Sequence, residues 1–293
     1  MAPFGTVLTA IITPFTGDGA VNYATMWDLA RFLVDNGSEG LVVAGTTGES
    51  PTLDTDEKVG AFRTVVEAVG AKATVVAGTG TYDTAESVAL TRRAAEVGCA
   101  AVMAVTPYYS KPPQEGLIRH FTAIADATDL PVLLYNIPGR TCRRIEVATL
   151  ERLAQHPRIV AVKDAVEDVG FTADTIELCG DGLAVYSGSD DHTLAMMALG
   201  AVGVVSVASH LAGPQIRRMV DAASSGDLAT ATALNRELHP LYRALFVEPN
   251  PMPVKAAMGE LWGPVGEPRL PLVAAAAETV AAVKAALTRV QAA

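Results

Sequence analysis

One lysine of the sequence directly follows an uninterrupted apolar run, and a lysine in that place can act as a nucleophile. Lys163 comes after residues 159–162, which read Ile-Val-Ala-Val. If this run is a strand that ends in an apolar pocket, desolvation disfavours the ammonium ion and lowers the lysine pKa. A neutral amine can then attack a ketone and form a Schiff base. Position alone leaves an alternative open, in which the side chain extends past the strand end and keeps its charge in solvent.

Other polar side chains follow neighbouring apolar runs and have the chemistry to complete such a site. Tyr135 ends the run before that of Lys163, and a phenol can move protons while a Schiff base forms. Thr46 and Thr47 lie in a Gly-Thr-Thr-Gly turn, whose hydroxyls and open N–H groups suit a small carboxylate. Arg140 follows a Pro-Gly turn, and its planar guanidinium can pair with a second carboxylate. Taken singly, each also fits an ordinary role, as a rim tyrosine, a glycine turn or a surface arginine.

The elements that must position these side chains are eight short apolar runs, spaced as strand–helix units are. The runs are nearly continuous in hydrophobicity, which is typical of parallel strands covered by helices. The predicted strands are residues 7–13, 40–44, 74–77, 100–105, 132–135, 159–162, 184–186 and 203–207. Helical patterns lie between them, and the weakest pattern is at residues 168–178.

Eight such units without a Gly-, Ser- or Pro-rich linker predict an α/β protein with one closed (β/α)8 TIM barrel. The alternative is an open doubly wound sheet, but the G-x-G-x-x-G of a Rossmann sheet does not follow the first strand. We expect residues 1–213 to form the barrel core. Residues 214–293 are expected to form a closing helix and a C-terminal helical extension of the same domain. Barrel active sites lie at the C-terminal strand ends, where the side chains named above would meet.

The composition argues against several other classes of protein. Half of the 293 residues are apolar and 18% are charged, so the chain can bury a large core. A formal charge of −10 argues against a nucleic-acid partner. We find no apolar stretch long enough to span a bilayer and no signal-peptide pattern at the start, so we expect no membrane partner. Three widely spaced cysteines, Cys99, Cys142 and Cys179, fit a reduced, cytoplasmic compartment.

Neither a metal nor an organic cofactor is expected from the motifs. The five histidines lack metal-ligand spacing, and no Walker loop or G-x-S-x-G elbow is present. Asp190, Asp191 and His192 are adjacent after the seventh apolar run. We interpret them as the start of a helix in preference to a ligand set. A lysine mechanism without metal or cofactor fits what remains.

Several motifs together resemble the dihydrodipicolinate synthase family, also called the 4-hydroxy-tetrahydrodipicolinate synthases, within the N-acetylneuraminate lyase-like pyruvate aldolases. The matching segments cover nearly the whole chain and are TAIITPF, GTTGESPTL, AGTGTYDTAES, VTPYYSKPPQEGL, LLYNIPGRT, AVKDA, YSGSDD and EPNPMPVKAAM. The resemblance implies a lyase on a TIM barrel that condenses pyruvate with L-aspartate-4-semialdehyde, at the entry to diaminopimelate and lysine biosynthesis.

The resemblance also implies roles for the residues of the inner site. Lys163 matches the lysine that forms the Schiff base with pyruvate. Tyr135 matches the proton donor and acceptor, Thr46 matches a proton relay, and Thr47 matches the threonine that holds the pyruvate carboxylate.

The remaining roles implied by the resemblance lie at the periphery of the site. Tyr109 matches a tyrosine that completes the relay from a neighbouring subunit, which requires at least a dimer. The resemblance itself implies a homotetramer built as a dimer of dimers. Arg140 matches the arginine that binds the carboxylate of the second substrate. Val205 matches a main-chain contact with pyruvate, and Gly188 lies in the matching loop after the seventh strand.

Departures from the family pattern leave the second substrate open. Cys142, Arg143 and Arg144 follow Thr141 where many relatives continue with glycine, and Ser189 is inserted in the seventh loop. The alternatives are another pyruvate or 2-keto acid aldolase or lyase, or a barrel that binds a small acid without catalysis.

The lysine-inhibition site of the family is altered as well. Ser50, Glu86 and Tyr108 are kept, whereas three residues of lysine-sensitive relatives, His, His and Asn, are replaced here by Thr55, Lys58 and Tyr82. A lysine at position 58 would repel a cationic ligand. We therefore predict weak or absent feedback inhibition by lysine.

Overall fold

The computed structural model describes residues 2–292 and contains a closed barrel of parallel strands. Each strand pairs with its neighbours in sequence, and the eighth pairs with the first. The strands are β1 Val7–Ala10, β2 Gly40–Val43, β3 Thr74–Gly78, β4 Ala101–Val105, β5 Val132–Asn136, β6 Ile159–Asp164, β7 Ala184–Ser187 and β8 Gly203–Ser206. The predicted (β/α)8 barrel is confirmed.

Helices alternate with the strands and cover the outside of the barrel. They are α1 Tyr23–Asp35, α2 Thr55–Val69, α3 Thr84–Val97, α4 Gln114–Asp126, α5 Pro138–Thr141, α6 Val147–Leu153, α7 Val169–Cys179, α8 Thr193–Ala198, α9 Ser209–Ser224, α10 Leu228–Ala244, α11 Met252–Leu261 and α12 Ala277–Ala292. Side-chain caps fix several helix starts. Asp54, for example, forms a reciprocal capping box with Glu57 at the start of α2.

Two hydrophobic layers result from the alternation of side chains along each strand. Outward side chains such as Val132 and Leu134 pack against the helices. Inward side chains such as Leu133 and Tyr135 fill the barrel. Lys163 is two residues after the inward Ala161, so the same alternation turns its side chain into the barrel.

The strands around the site end later than the sequence pattern predicted. Residues 159–162 were expected to be the whole sixth strand, but β6 continues through Lys163 to Asp164. Lys163 pairs with Tyr135 and Asp164 pairs with Asn136. Polar side chains lowered the apparent strand propensity here, whereas the ladder of backbone hydrogen bonds continues to the mouth. The first strand is shorter than expected and ends at Ala10.

Helices α9–α12 follow β8 and make up the C-terminal part of the chain. Helix α10 packs along α9, and α12 packs on α10 and α11. The expected division between residues 213 and 214 falls inside α9, beside a kink at Ala212, and it remains a prediction. A search of residues 2–292 found no helix with the length and apolarity that a membrane crossing requires.

Candidate active site

Lys163 lies at the C-terminal mouth of the barrel with its amine enclosed. Only 5% of the residue is exposed, and Nζ lies 4.2 Å from the centroid of the Tyr135 ring. Burial lowers the pKa of Lys163 from its ordinary value of 10.5 to about 8, although the nearby Asp190 carboxylate opposes this change. A substantial fraction of the amine is therefore neutral near pH 8, as a carbonyl nucleophile requires.

Tyr135 shares the barrel interior with Lys163 on the adjacent strand β5. Burial raises the pKa of Tyr135 to about 12, and an interaction with the Thr46 side chain opposes the rise. The phenol is thus protonated at neutral pH and able to donate. Thr46, in the loop after β2, is close enough to this phenol to influence its pKa.

The loop after β2 carries Thr46 and Thr47 in a constrained backbone. Ala44 and Glu49, at its two ends, have φ values of +53° and +56°, in the left-handed region that non-glycine residues rarely adopt. Thr13 Oγ1 donates a 2.7 Å hydrogen bond to Gly48 O. Such a conformation persists only where surrounding contacts enforce it, and it is common at ligand sites.

Arg140 lies in the single helical turn α5, directly after β5. Asn136 fixes this segment because its Nδ2 donates to Ile145 O and its Oδ1 accepts from Ile145 N, both at 3.0 Å. The Arg140 side chain is largely exposed and lines the mouth, where Nη2 is 3.4 Å from Asn250 O. Its position suits an anionic group that enters from solvent.

A cavity of about 220 Å³ lies at the mouth of the barrel, and Lys163 and Thr47 are not among the residues that line it. Thr46, Tyr135 and Arg140 line it, with Met103, Val105 and Ile137 as apolar walls. A cavity of this size suits a substrate of a few carbon atoms, because drug-sized ligands occupy larger pockets.

Gly188, directly after β7, borders the lysine, and Val205 lies on β8, the strand that follows. A Cβ atom on Gly188 would lie 3.1 Å from Lys163 Cγ and 2.8 Å from Ala165 Cβ, so a side chain there would displace the lysine stem. Val205 is buried in β8 with its side chain in the same inner layer as Tyr135.

Tyr109 stands apart from the other predicted site residues. It is 94% exposed, has a φ of +69°, and points away from the cavity of its own chain, whose lining includes Tyr108. Tyr109 therefore combines a left-handed backbone conformation with an almost fully exposed ring.

The family model for the Dihydrodipicolinate synthetase family matches residues 3–290. The chain belongs to this family. Among curated members, the 4-hydroxy-tetrahydrodipicolinate synthase of Desulforamulus reducens is 52% identical over 282 residues, which are 96% of this chain and 95% of the relative.

Solved structures of dihydrodipicolinate synthases are similar to this chain over nearly its whole length. The crystal structure of the Bacillus anthracis enzyme matches this chain with a TM-score of 0.95 and 45% identity. The match covers 98% of this chain and 99% of the Bacillus anthracis chain. The Cyanidioschyzon merolae enzyme, solved with lysine bound, has a TM-score of 0.96 and 42% identity, with 98% of each chain covered.

The sequence analysis did not assign three side chains to the site of this dihydrodipicolinate synthetase family member. Asn136 fixes the Arg140 segment, as described above. Asp190, expected only to start a helix, begins a 3-10 turn and also accepts from Ser206 Oγ, Val207 N and Ala208 N at the end of β8. Asn250 reaches the site from the C-terminal extension. The first two follow apolar runs and were within reach of the strand-end rule. Asn250 lies in the EPNPMPVKAAM segment of the family resemblance, which assigned it no role.

Across residues 2–292, no three side chains of His, Cys, Asp or Glu converge as a metal-binding group. His210 is buried between two strand ends instead, where Nε2 accepts from Ile12 N and Nδ1 donates to Val207 O.

Proposed function

We propose that this chain is a 4-hydroxy-tetrahydrodipicolinate synthase that condenses pyruvate with L-aspartate-4-semialdehyde through a Schiff base on Lys163. The observation that carries the proposal is the buried Lys163 amine, with a pKa of about 8, held 4.2 Å from the Tyr135 ring at the barrel mouth. The reaction is a lyase-type aldol condensation at the entry to diaminopimelate and lysine biosynthesis.

In the first half of the reaction, the neutral Nζ of Lys163 attacks the keto carbon of pyruvate. The carbonyl oxygen takes a proton to give a carbinolamine, and protonation of that hydroxyl releases it as water to leave an iminium ion. Tyr135 supplies and recovers these protons, because its phenol is protonated and adjacent to the amine. Thr47 binds the pyruvate carboxylate during these steps.

In the second half, the iminium ion is an electron sink for the neighbouring methyl group. Loss of a methyl proton gives an enamine, whose carbon attacks the aldehyde carbon of the second substrate. The new alkoxide takes a proton from the relay of Tyr135, Thr46 and Tyr109. The amino group of the second substrate then attacks the iminium carbon and closes the ring, and the bond from that carbon to Lys163 Nζ breaks, so that Lys163 leaves as a neutral amine and the surplus proton returns to the relay. Arg140 binds the carboxylate of the second substrate at the mouth and orients the aldehyde toward the enamine.

Assembly is part of the proposal, because Tyr109 is expected to act on a neighbouring subunit. Its ring is 94% exposed in the protomer, and we infer that it enters the site of a second copy. The working form would then be at least a dimer, and we propose a homotetramer in the cytoplasm. Sedimentation analysis at working concentration tests the assembly, and a fully active monomer would contradict it.

A steady-state comparison of second substrates tests the proposed reaction. With saturating pyruvate, kcat/KM for L-aspartate-4-semialdehyde should exceed that for sugar aldehydes by orders of magnitude. Cleavage of sialic acid or of 2-keto-3-deoxy sugar acids should be slow. Efficient turnover of either sugar class, with little use of the semialdehyde, would assign the chain to another aldolase activity.

A further inference from the structure

Asn250 links the two regions of the site that receive substrate carboxylates. It lies just before α11, in the Pro-Asn-Pro segment of the C-terminal extension, and is 7% exposed. Its Nδ2 donates a 2.9 Å hydrogen bond to Thr47 Oγ1, and its backbone oxygen lies 3.4 Å from Arg140 Nη2. Thr47 itself is buried, so this amide is a defined neighbour of its hydroxyl.

The chemistry of the two side chains fixes the direction of this hydrogen bond. An amide nitrogen only donates, so Thr47 Oγ1 must act as the acceptor. The hydroxyl hydrogen of Thr47 is then free to point to a different acceptor. A carboxylate offers acceptors only, and a hydrogen bond to an ionised group is stronger than one between neutral groups.

A second contact holds the Thr47 loop and the Asn250 segment in a fixed relative position. Lys255 Nζ lies 2.6 Å from Glu49 Oε1, and the two side chains are 0% and 1% exposed. Glu49 Oε2 accepts from Arg269 N at 2.8 Å, and Lys255 Nζ lies 3.9 Å from the centroid of the Phe15 ring. Because both charges are enclosed and paired, the extension cannot shift relative to the loop without exposing or separating them.

We propose that Asn250 is a positioning residue that turns the hydroxyl hydrogen of Thr47 toward the carboxylate of bound pyruvate. The inference rests on the proposed function, in which Thr47 holds that carboxylate. The Asn250 side chain acts on pyruvate binding through Thr47, and the C-terminal extension thereby takes part in recognition of the first substrate.

The test is a double-mutant cycle between Asn250→Ala and Thr47→Val. Asn250→Ala keeps the backbone oxygen near Arg140 and should raise the KM for pyruvate about tenfold, the effect of one lost hydrogen bond to a charged group. The kcat and the KM for the second substrate should stay within about twofold. In the Thr47→Val background, Asn250→Ala should have little further effect on pyruvate KM, because the hydroxyl that it orients is gone.

Asn235→Ala provides the matched control. Asn235 is a partly buried asparagine of α10 in the same extension, and its replacement should leave both KM values unchanged. Thermal unfolding of each variant separates a kinetic effect from loss of folded protein.

Three results would overturn the inference. These are an unchanged pyruvate KM in Asn250→Ala, a lower KM (as expected if the amide took the Thr47 proton), or a full additional effect in the Thr47→Val background. Borohydride trapping of pyruvate by the unaltered chain distinguishes these results from failure of the proposed function. If trapping succeeds and the cycle fails, the Schiff-base role of Lys163 stands and the role of Asn250 is wrong.

Discussion

Tyr135 and Lys163 are register partners on adjacent strands, and the lysine amine lies 4.2 Å from the centroid of the tyrosine ring. The pairing places a proton carrier and a nucleophile side by side, with no intervening loop whose movement could separate them. Burial acts on both, lowering the pKa of the amine to about 8 and raising the pKa of the phenol to about 12. Near pH 8 the pair therefore contains a partly neutral nucleophile and a protonated acid.

The pH dependence of the first step should report the lowered lysine pKa. Since kcat/KM for pyruvate reflects the free enzyme, it should rise with pH and level off above about pH 8. The rise occurs because deprotonation of Lys163 creates the nucleophile. Steady-state rates at saturating second substrate give the profile. A rise that continues to an apparent pKa near 10.5 would show that the amine is not desolvated.

Replacement of Lys163 by methionine should stabilise the fold. The folded pKa of about 8 lies below the ordinary 10.5, so the ammonium form opposes folding by about 3 kcal/mol below pH 8. The penalty disappears as pH rises from 8 to 10.5, where the unfolded chain still binds the proton and the folded chain does not. Denaturant unfolding should therefore show a stability gain for Lys163→Met at pH 7 that shrinks toward pH 10. A gain independent of pH would contradict this origin.

Arg140→Ala should weaken use of the second substrate while leaving capture of pyruvate largely intact. Loss of the guanidinium should raise the KM for the second substrate or lower its kcat/KM by 10-fold or more, an order-of-magnitude value for a charge-assisted pair. Trapping of pyruvate should stay largely intact. Because Arg140 also lowers the pKa of Lys163, the rise of kcat/KM for pyruvate should move to higher pH in the variant. Loss of pyruvate trapping would show that Arg140 has a different role.

Feedback inhibition by lysine should be weak or absent. Lys58 is 5% exposed, and desolvation lowers its pKa while the nearby Glu86 carboxylate opposes the change. Glu86 thus already has a cationic neighbour, which would disfavour a cationic ligand in the same place. Activity should persist in millimolar L-lysine, and Lys58→His should increase sensitivity. Strong inhibition of the unaltered chain by micromolar lysine would contradict the prediction.

Much of the site was predictable because, in a parallel barrel, the residues that follow the strands all lie at the same end. The rule that active sites follow the C-terminal strand ends selected Lys163, Tyr135, Thr46 and Arg140 from eight apolar runs. The structure brings Lys163 and Tyr135 into contact and places Thr46 and Arg140 around the same cavity. Their chemical roles remain predictions for the experiments above.

Long-range contacts were not predictable by the same reasoning. The Glu49–Lys255 pair joins positions 206 residues apart, and the Asn250–Thr47 hydrogen bond joins positions 203 apart. No local period or spacing encodes such contacts, because they depend on where the C-terminal extension meets the barrel. Helix α6 begins only at Val147 for a related reason, because Ile145 before it is held by Asn136 on β5.

Borohydride reduction in the presence of pyruvate tests the covalent role of Lys163 most directly. The account predicts irreversible inactivation and one reduced pyruvate adduct per chain, located on Lys163 by peptide mass spectrometry. The Lys163→Met variant should gain no adduct under the same conditions. An active chain that acquires no adduct, or acquires it on a different residue, would contradict the account.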